Sequence, residues 1–137
     1  MAFQNPPDET IKELLAMPQT IAVVGCSPNP ARDSHRIAKL LQAKGHRVIP
    51  VNPGQQEILN EKCYGNLKEI PEKIDIVDVF RRSEHVGPIV DAAIEVGAKV
   101  VWMQLGVIDE GAAAKAQGAG LLVVMDRCPA IEYRRLF

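Results

Sequence analysis

Ile21-Ala22-Val23-Val24-Gly25-Cys26-Ser27-Pro28-Asn29-Pro30 is the stretch that decides how this chain is read. Its first four residues are apolar without alternation, as in a strand buried on both faces. Glycine ends the run, and helical sequence, Arg36-Ile37-Ala38-Lys39-Leu40-Leu41, follows a few residues later. A strand that stops at glycine just before a helix leaves free backbone N–H groups at the positive end of that helix. Such a place holds phosphate.

The pattern repeats outward from there. Uniformly apolar runs recur at 48–51, 76–80, 100–103 and 121–125. Between them lie helical patterns over 34–44, 84–96 and 110–117, each followed by a glycine (Gly45, Gly97, Gly118) suited to a helix C-terminus. Strands apolar on both faces and alternating with helices predict a mainly parallel five-stranded sheet covered on both sides, an α/β, Rossmann-like three-layer fold. The connection 52–74 is less regular, and its Cys63-Tyr64-Gly65 reads as a short extra strand or turn. Ahead of the first strand, Ile11, Leu14 and Leu15 form an i, i+3, i+4 stripe. They predict a helix over 8–17, capped by Asp8 and ended by Pro18.

Composition sets the outer bounds. A chain of 137 residues is read as one domain over 1–137, with 1–19 as a helical extension packed on it. A formal net charge of -1 argues against non-specific nucleic-acid binding, which needs a basic surface to displace counterions. No apolar run approaches the roughly 20 residues that span a bilayer, and the N-terminus has neither the charged nor the apolar region of a signal peptide. The expected location is the cytoplasm, without membrane attachment. Cys26, Cys63 and Cys128 show no zinc spacing, and an odd count suits a reducing compartment. No metal ligands are assigned.

Right-handed crossovers bring all the strand ends to one edge, where such sheets take their ligands. After the first strand stand Gly25, Cys26, Ser27, Pro28, Asn29, Arg32, Ser34 and Arg36. Here glycine permits close backbone approach to an anion, the hydroxyl and amide side chains add neutral donors, and the arginines add charge. The alternative is an ordinary strand–helix turn with Ser34 as N-cap. Nicotinamide binding is disfavoured on two counts. The three-glycine spacing is absent, and the second strand ends Val51-Asn52-Pro53-Gly54 with no carboxylate for a ribose hydroxyl. The third strand ends Phe80-Arg81-Arg82: two guanidinium groups for phosphate and a ring for stacking, unless Phe80 belongs to the core. The fourth ends Trp102-Met103-Gln104-Leu105-Gly106-Val107, where Gln104 and the backbone near Gly106 suit the amides of an extended ligand. Trp102 is read as core. The fifth ends Asp126-Arg127-Cys128-Pro129. A nucleophilic cysteine needs a neighbouring base or a depressed pKa, and nothing in the spacing of His35, His46 or His85 supplies one. No catalytic residue is assigned.

Taken in order, the segments 24–36, 48–54, 77–81, 100–107 and 126–129 resemble the small stand-alone CoA-binding proteins. These in turn are similar to the N-terminal domain of the succinyl-CoA synthetase α subunit. The resemblance runs from about Thr20 to Leu136. It implies that 25–29 and Ser34 hold a pyrophosphate, and that Val51, Asn52 and Pro53 line the pantetheine or adenosine end. It also implies that Phe80 and Arg81 lie near adenine, and that Gln104, Gly106 and Val107 border the pantetheine arm. The synthetase carries a lysine shortly after the equivalent Pro-Gly turn, where this chain has Gln55 and Gln56. Arg32, Arg36, Arg81 and Arg82 are the cations at hand to replace it. The synthetase's second domain, with its phosphohistidine, has no counterpart in this sequence, so ligase activity is not carried over.

The expected function is therefore non-catalytic binding or sensing of coenzyme A or an acyl-CoA, with monomer and homodimer both compatible. Two alternatives stand beside it. One is an NAD(P)-type oxidoreductase or acyl-transfer enzyme. The other is an interaction subunit of a larger complex, using the first helix and the segment 132–137 as contact surfaces.

Overall fold

Runs rich in valine and isoleucine form the strands, because β-branched side chains pack well on a pleated surface. The computed structural model describes residues 3–137, so the first two residues of the expected extension lie outside it. In chain order the elements are α1 (Asp8–Ala16), β1 (Thr20–Val24), α2 (Asp33–Ala43) and β2 (Arg47–Val51), then a hairpin of β3 (Glu57–Ile58) and β4 (Glu61–Lys62). There follow β5 (Ile76–Val79), α3 (Val86–Glu95), β6 (Val100–Met103), α4 (Glu110–Gly118), β7 (Leu122–Val124) and α5 (Pro129–Leu136). The main sheet is parallel throughout, in the order β2-β1-β5-β6-β7. Strand order reverses between β1 and β5, so the crevice beyond their carboxyl ends is the topological switch point.

Alternation of side chains along each strand splits the core into two layers. Val77 and Val79 of β5 face one cluster with Val86, Val90 and Ala113 from α3 and α4. Ile76 of the same strand faces the other, with Ile11, Leu15, Leu41, Trp102 and Tyr133 from α1, α2, β6 and α5. The three-layer expectation holds, and Trp102 is core at 2% exposure.

Local details refine or correct the sequence reading in four places. Asp8 does not cap α1: Pro7 occupies the cap position, and the Asp8 carboxylate takes two bonds of 2.8 Å from Arg135. Gly118 is the last residue of α4, and Gly120 takes the left-handed conformation instead. The segment around Cys63 is approached through the β3–β4 hairpin, whose turn residues Leu59 and Asn60 have positive φ. Tyr64 then adds a parallel bridge to Val51. Lastly, 129–136 is a helix, with Pro129 fixing φ in its first turn.

A buried polar clasp fastens α1 and α5 to the sheet. His46 Nδ1 accepts from the Gln19 N–H at 3.0 Å, which leaves the proton on Nε2 to donate to the Tyr133 hydroxyl at 2.7 Å. Tyr133 donates onward to the Leu15 carbonyl at 3.0 Å. Burial pushes His46 below its ordinary value of 6.5, since the charged ring would be poorly solvated. The stability this gives is fully present above pH 6.5 and is lost as pH falls through the depressed folded value. Tyr133→Phe removes the shared hydroxyl and leaves a buried donor and a buried acceptor unpaired. Urea unfolding at pH 8 should report a loss of about 1–3 kcal/mol. A variant within experimental error of wild type would refute the clasp.

Candidate functional site

Three adjoining depressions lie along the carboxyl edge of the sheet and meet at Gly25, Phe80 and Arg81. The first is a small, mostly apolar slot of about 200 Å³, bounded by Val51, Pro53, Leu67, Pro88 and Ile89 with Arg81. The second is polar, about 340 Å³, formed by Gly25, Ser27 and the start of α2 from Arg32 to Ser34. The third is a cleft of about 580 Å³ between the N-terminal end of α2, the ends of β5 and β6, and α5. Arg81 belongs to the slot and the cleft, Gly25 to the slot and the polar depression, and Phe80 to the polar depression and the cleft. Each volume is in or near the range of small-molecule sites, roughly 300–1,000 Å³.

Gly25 serves a different purpose from the one its sequence context suggests. Its φ is +85°, and a Cβ there would lie 2.7 Å from the Phe80 carbonyl oxygen and 3.0 Å from Arg81 Cδ. Its N–H is donated to the Val51 carbonyl at 2.9 Å. The missing side chain therefore lets the end of β5 cross over the loop and carry Arg81 to the junction of the depressions.

The neutral side chains of the loop mostly bind the loop itself. Ser34 Oγ accepts from the Ser27 N–H at 2.9 Å, Ser27 Oγ from the Asn29 N–H at 3.1 Å, and Asn29 Oδ1 from the Ala31 N–H at 3.0 Å. His35, absent from the sequence-derived site, donates from Nδ1 to the Ser27 carbonyl at 2.9 Å. Ser34 is not the N-cap: Arg32 holds that position, and no side chain among the described residues caps α2. The N–H groups of Asp33, Ser34 and His35 at the start of α2 take no acceptor among the described residues. These uncapped amides, with Arg32 beside them, are the anion-seeking feature of the polar depression.

Other expected contacts are also redirected. The Asn52 amide donates to the Cys26 carbonyl at 2.8 Å, bracing the loop from β2. Val51 and Pro53 do line the apolar slot. Gln104 reaches the cleft, but it is 95% buried and its amide donates inward to Asp78. The Gly106 N–H is taken by Asp126 Oδ1 at 2.7 Å, with Asp126 itself in the left-handed region at φ 59°. Arg36 pairs with Asp33, and Arg82 stands 3.9 Å from Glu84. Arg32 and Arg81 have no ion pair among the described residues. Phe80 is half-buried, with one side in the core and the other in the site.

The cysteines divide by burial. Cys26 is fully buried, and desolvation pushes its thiol up to about 12, so it is a protonated packing residue. Cys63 is likewise raised by burial. Cys128 is only partly buried and lines the cleft. Beside it stand Ile131 and Arg134 of α5, which the sequence reading did not assign to the site. The signal was present in Cys128-Pro129, a cap position followed by proline at the first helical residue.

A family model described as CoA binding domain matches residues 19–134. The chain belongs to this CoA-binding domain family. It is 44% identical over 126 residues to the Bacillus subtilis protein YneT, covering 92% of this chain and 93% of that one. A structure of a hypothetical protein from Pyrococcus horikoshii superposes with a TM-score of 0.91 at 41% identity, over 99% of both chains. The ADP-forming acetate–CoA ligase II of Archaeoglobus fulgidus is 29% identical over 109 residues, which is 76% of this chain but 16% of the ligase. The CoA-binding domain seen here is thus homologous to one segment of a much longer enzyme. No helix among the described residues is long and apolar enough to cross a membrane.

Proposed function

We propose that this chain binds coenzyme A, free or acylated, along the carboxyl edge of its sheet, as a single-domain protein of the cytoplasm. The observation that carries the reading is the meeting of three chemically distinct depressions at Phe80 and Arg81. A mostly apolar slot suits a flat base, uncapped helix amides with Arg32 suit a pyrophosphate, and a long cleft suits the pantetheine arm. The relatives' CoA chemistry agrees with this.

The assignment gives roles to individual residues. Val51, Pro53 and Arg81 hold the adenosine end, and Arg81, beside the slot, replaces the lysine that Gln55 and Gln56 do not provide. Arg32 and the first turn of α2 hold the phosphates, in the polar depression that Gly25 and Ser27 help to line. Phe80, Gly106 and Val107 border the arm. Arg81→Ala is expected to cost about 1.5–3 kcal/mol of CoA affinity, measured by isothermal titration. Because Arg81 is assigned to the 3′-phosphate, the loss should shrink for dephospho-CoA. Wild-type heat with NAD(H) but none with CoA would reject the reading.

A second reading is favoured by the match to the acetate–CoA ligase. In it the domain is the CoA-holding part of an acyl-CoA ligase whose catalytic parts are supplied elsewhere. It requires a partner, whereas binding alone does not. Light scattering with and without CoA, followed by co-purification from cells, separates the two.

A further inference from the structure

We infer that the α5 end of the long cleft reads the acyl group of a CoA thioester, and that Arg134 favours acyl chains ending in a carboxylate. This rests on the CoA reading above and names the ligand class more narrowly.

Position comes first. Arg81, Phe80 and Asp33, shared with the neighbouring depressions, mark where the cleft meets the phosphate and base regions. Leu105, Cys128, Ile131 and Arg134 belong to the cleft alone. They follow β6 and β7, whereas the apolar slot draws on β1 and β2 on the other side of the sheet. Two to four strand spacings separate the two groups, roughly 10–19 Å. A ligand with its base in the slot and its phosphates at α2 sends its sulfur end toward α5.

Charge comes second. Among the described residues Asp33 is the one acid lining the cleft, and it is paired with Arg36. Glu132, on the same helix as Arg134, is held by Arg127 and Arg135, and Asp126 accepts from the Gly106 N–H. Arg134 has no ion pair or hydrogen bond among the described residues. Beside it Leu105 and Ile131 are 61% and 42% exposed. An exposed apolar patch ending at an uncompensated guanidinium matches a short methylene chain ending in a carboxylate.

The test compares glutaryl-CoA with valeryl-CoA, which have equal carbon counts and differ in the terminal carboxylate, by isothermal titration. Glutaryl-CoA is expected to bind about fivefold more tightly at low ionic strength, as befits an exposed ion pair, with the gap closing in high salt. Arg134→Gln should bring the two affinities together, while Arg134→Lys should keep part of the gap. Equal binding of both thioesters by wild type, or an undiminished preference in Arg134→Gln, overturns the inference while leaving CoA binding in place. If free CoA fails to bind, the underlying reading falls, and this inference with it.

Discussion

Gly25→Ala is expected to lower unfolding free energy by roughly 2–4 kcal/mol and to weaken CoA binding in the same protein. Two costs add at this position. A φ of +85° is strained for any residue with a Cβ. The new methyl would also stand 2.7 Å from the Phe80 carbonyl oxygen, which is backbone and cannot swing aside. Phe80 is fixed in turn by its N–H bond to the Val24 carbonyl at 2.9 Å, the last rung between β1 and β5. Relief therefore means parting the two strands at the switch point, and Arg81 moves with them. Gly54 provides the control. Its φ is +93°, but a Cβ there meets nothing within 4 Å, so Gly54→Ala should lose only the backbone strain of about 1 kcal/mol. Urea unfolding of both variants distinguishes clash from strain, and equal losses would show that the Phe80 contact is harmless.

The contrast between those glycines marks where the sequence could be read and where it could not. Uniform apolar runs and their spacing were enough for the parallel sheet, since strands buried on both faces have few alternatives. The positions of the site loops followed from that topology. What individual side chains do in the loops did not follow. Ser27, Asn29, Ser34 and Asn52 have the chemistry of ligand donors, and the structure uses them to hold the loop's own backbone. Short polar side chains compete for the nearest amide or carbonyl, and that choice depends on geometry within an ångström. The wall from α5 was missed because Glu132-Tyr133-Arg134-Arg135 reads as a contact surface for a partner. Burial of Glu132 at 1% exposure and of Tyr133 is a tertiary outcome, set by Arg135, Arg127 and the His46 clasp.

Asp78 supplies the other large effect, and it lies under the site rather than in it. The residue sits in central strand β5 at 1% exposure, facing Leu15, Leu41 and Trp102 around a void of about 10 Å³. One oxygen accepts from Gln104, and the other, Oδ2, has no partner among the described residues. With a single polar group on its wall, the void offers a water too few bonds to settle there. Desolvation pushes Asp78 from its ordinary 3.8 up to about 7, while the Gln104 bond opposes the rise. The sign follows directly. Between those two values the folded chain keeps a proton that the unfolded chain releases, so stability falls as pH rises. The loss should amount to about 3 kcal/mol between pH 5 and pH 8. Asp78→Asn keeps the shape and an acceptor for Gln104, and it cannot ionise. Its stability relative to wild type should therefore improve by that amount across the same range, with the two proteins most alike at the acid end. Curves that run parallel from pH 5 to pH 8 would mean that Asp78 is already charged in the folded chain, with an unseen donor at Oδ2. The bond to Asp78 also explains why the Gln104 amide turns inward from the cleft. A buried carboxyl group with one idle oxygen is a stronger claim on an amide than a solvated groove. The strand end leading to Gly106 and Val107 is thereby pinned from below, with the Gln104 amide spent on Asp78 and not offered to the cleft.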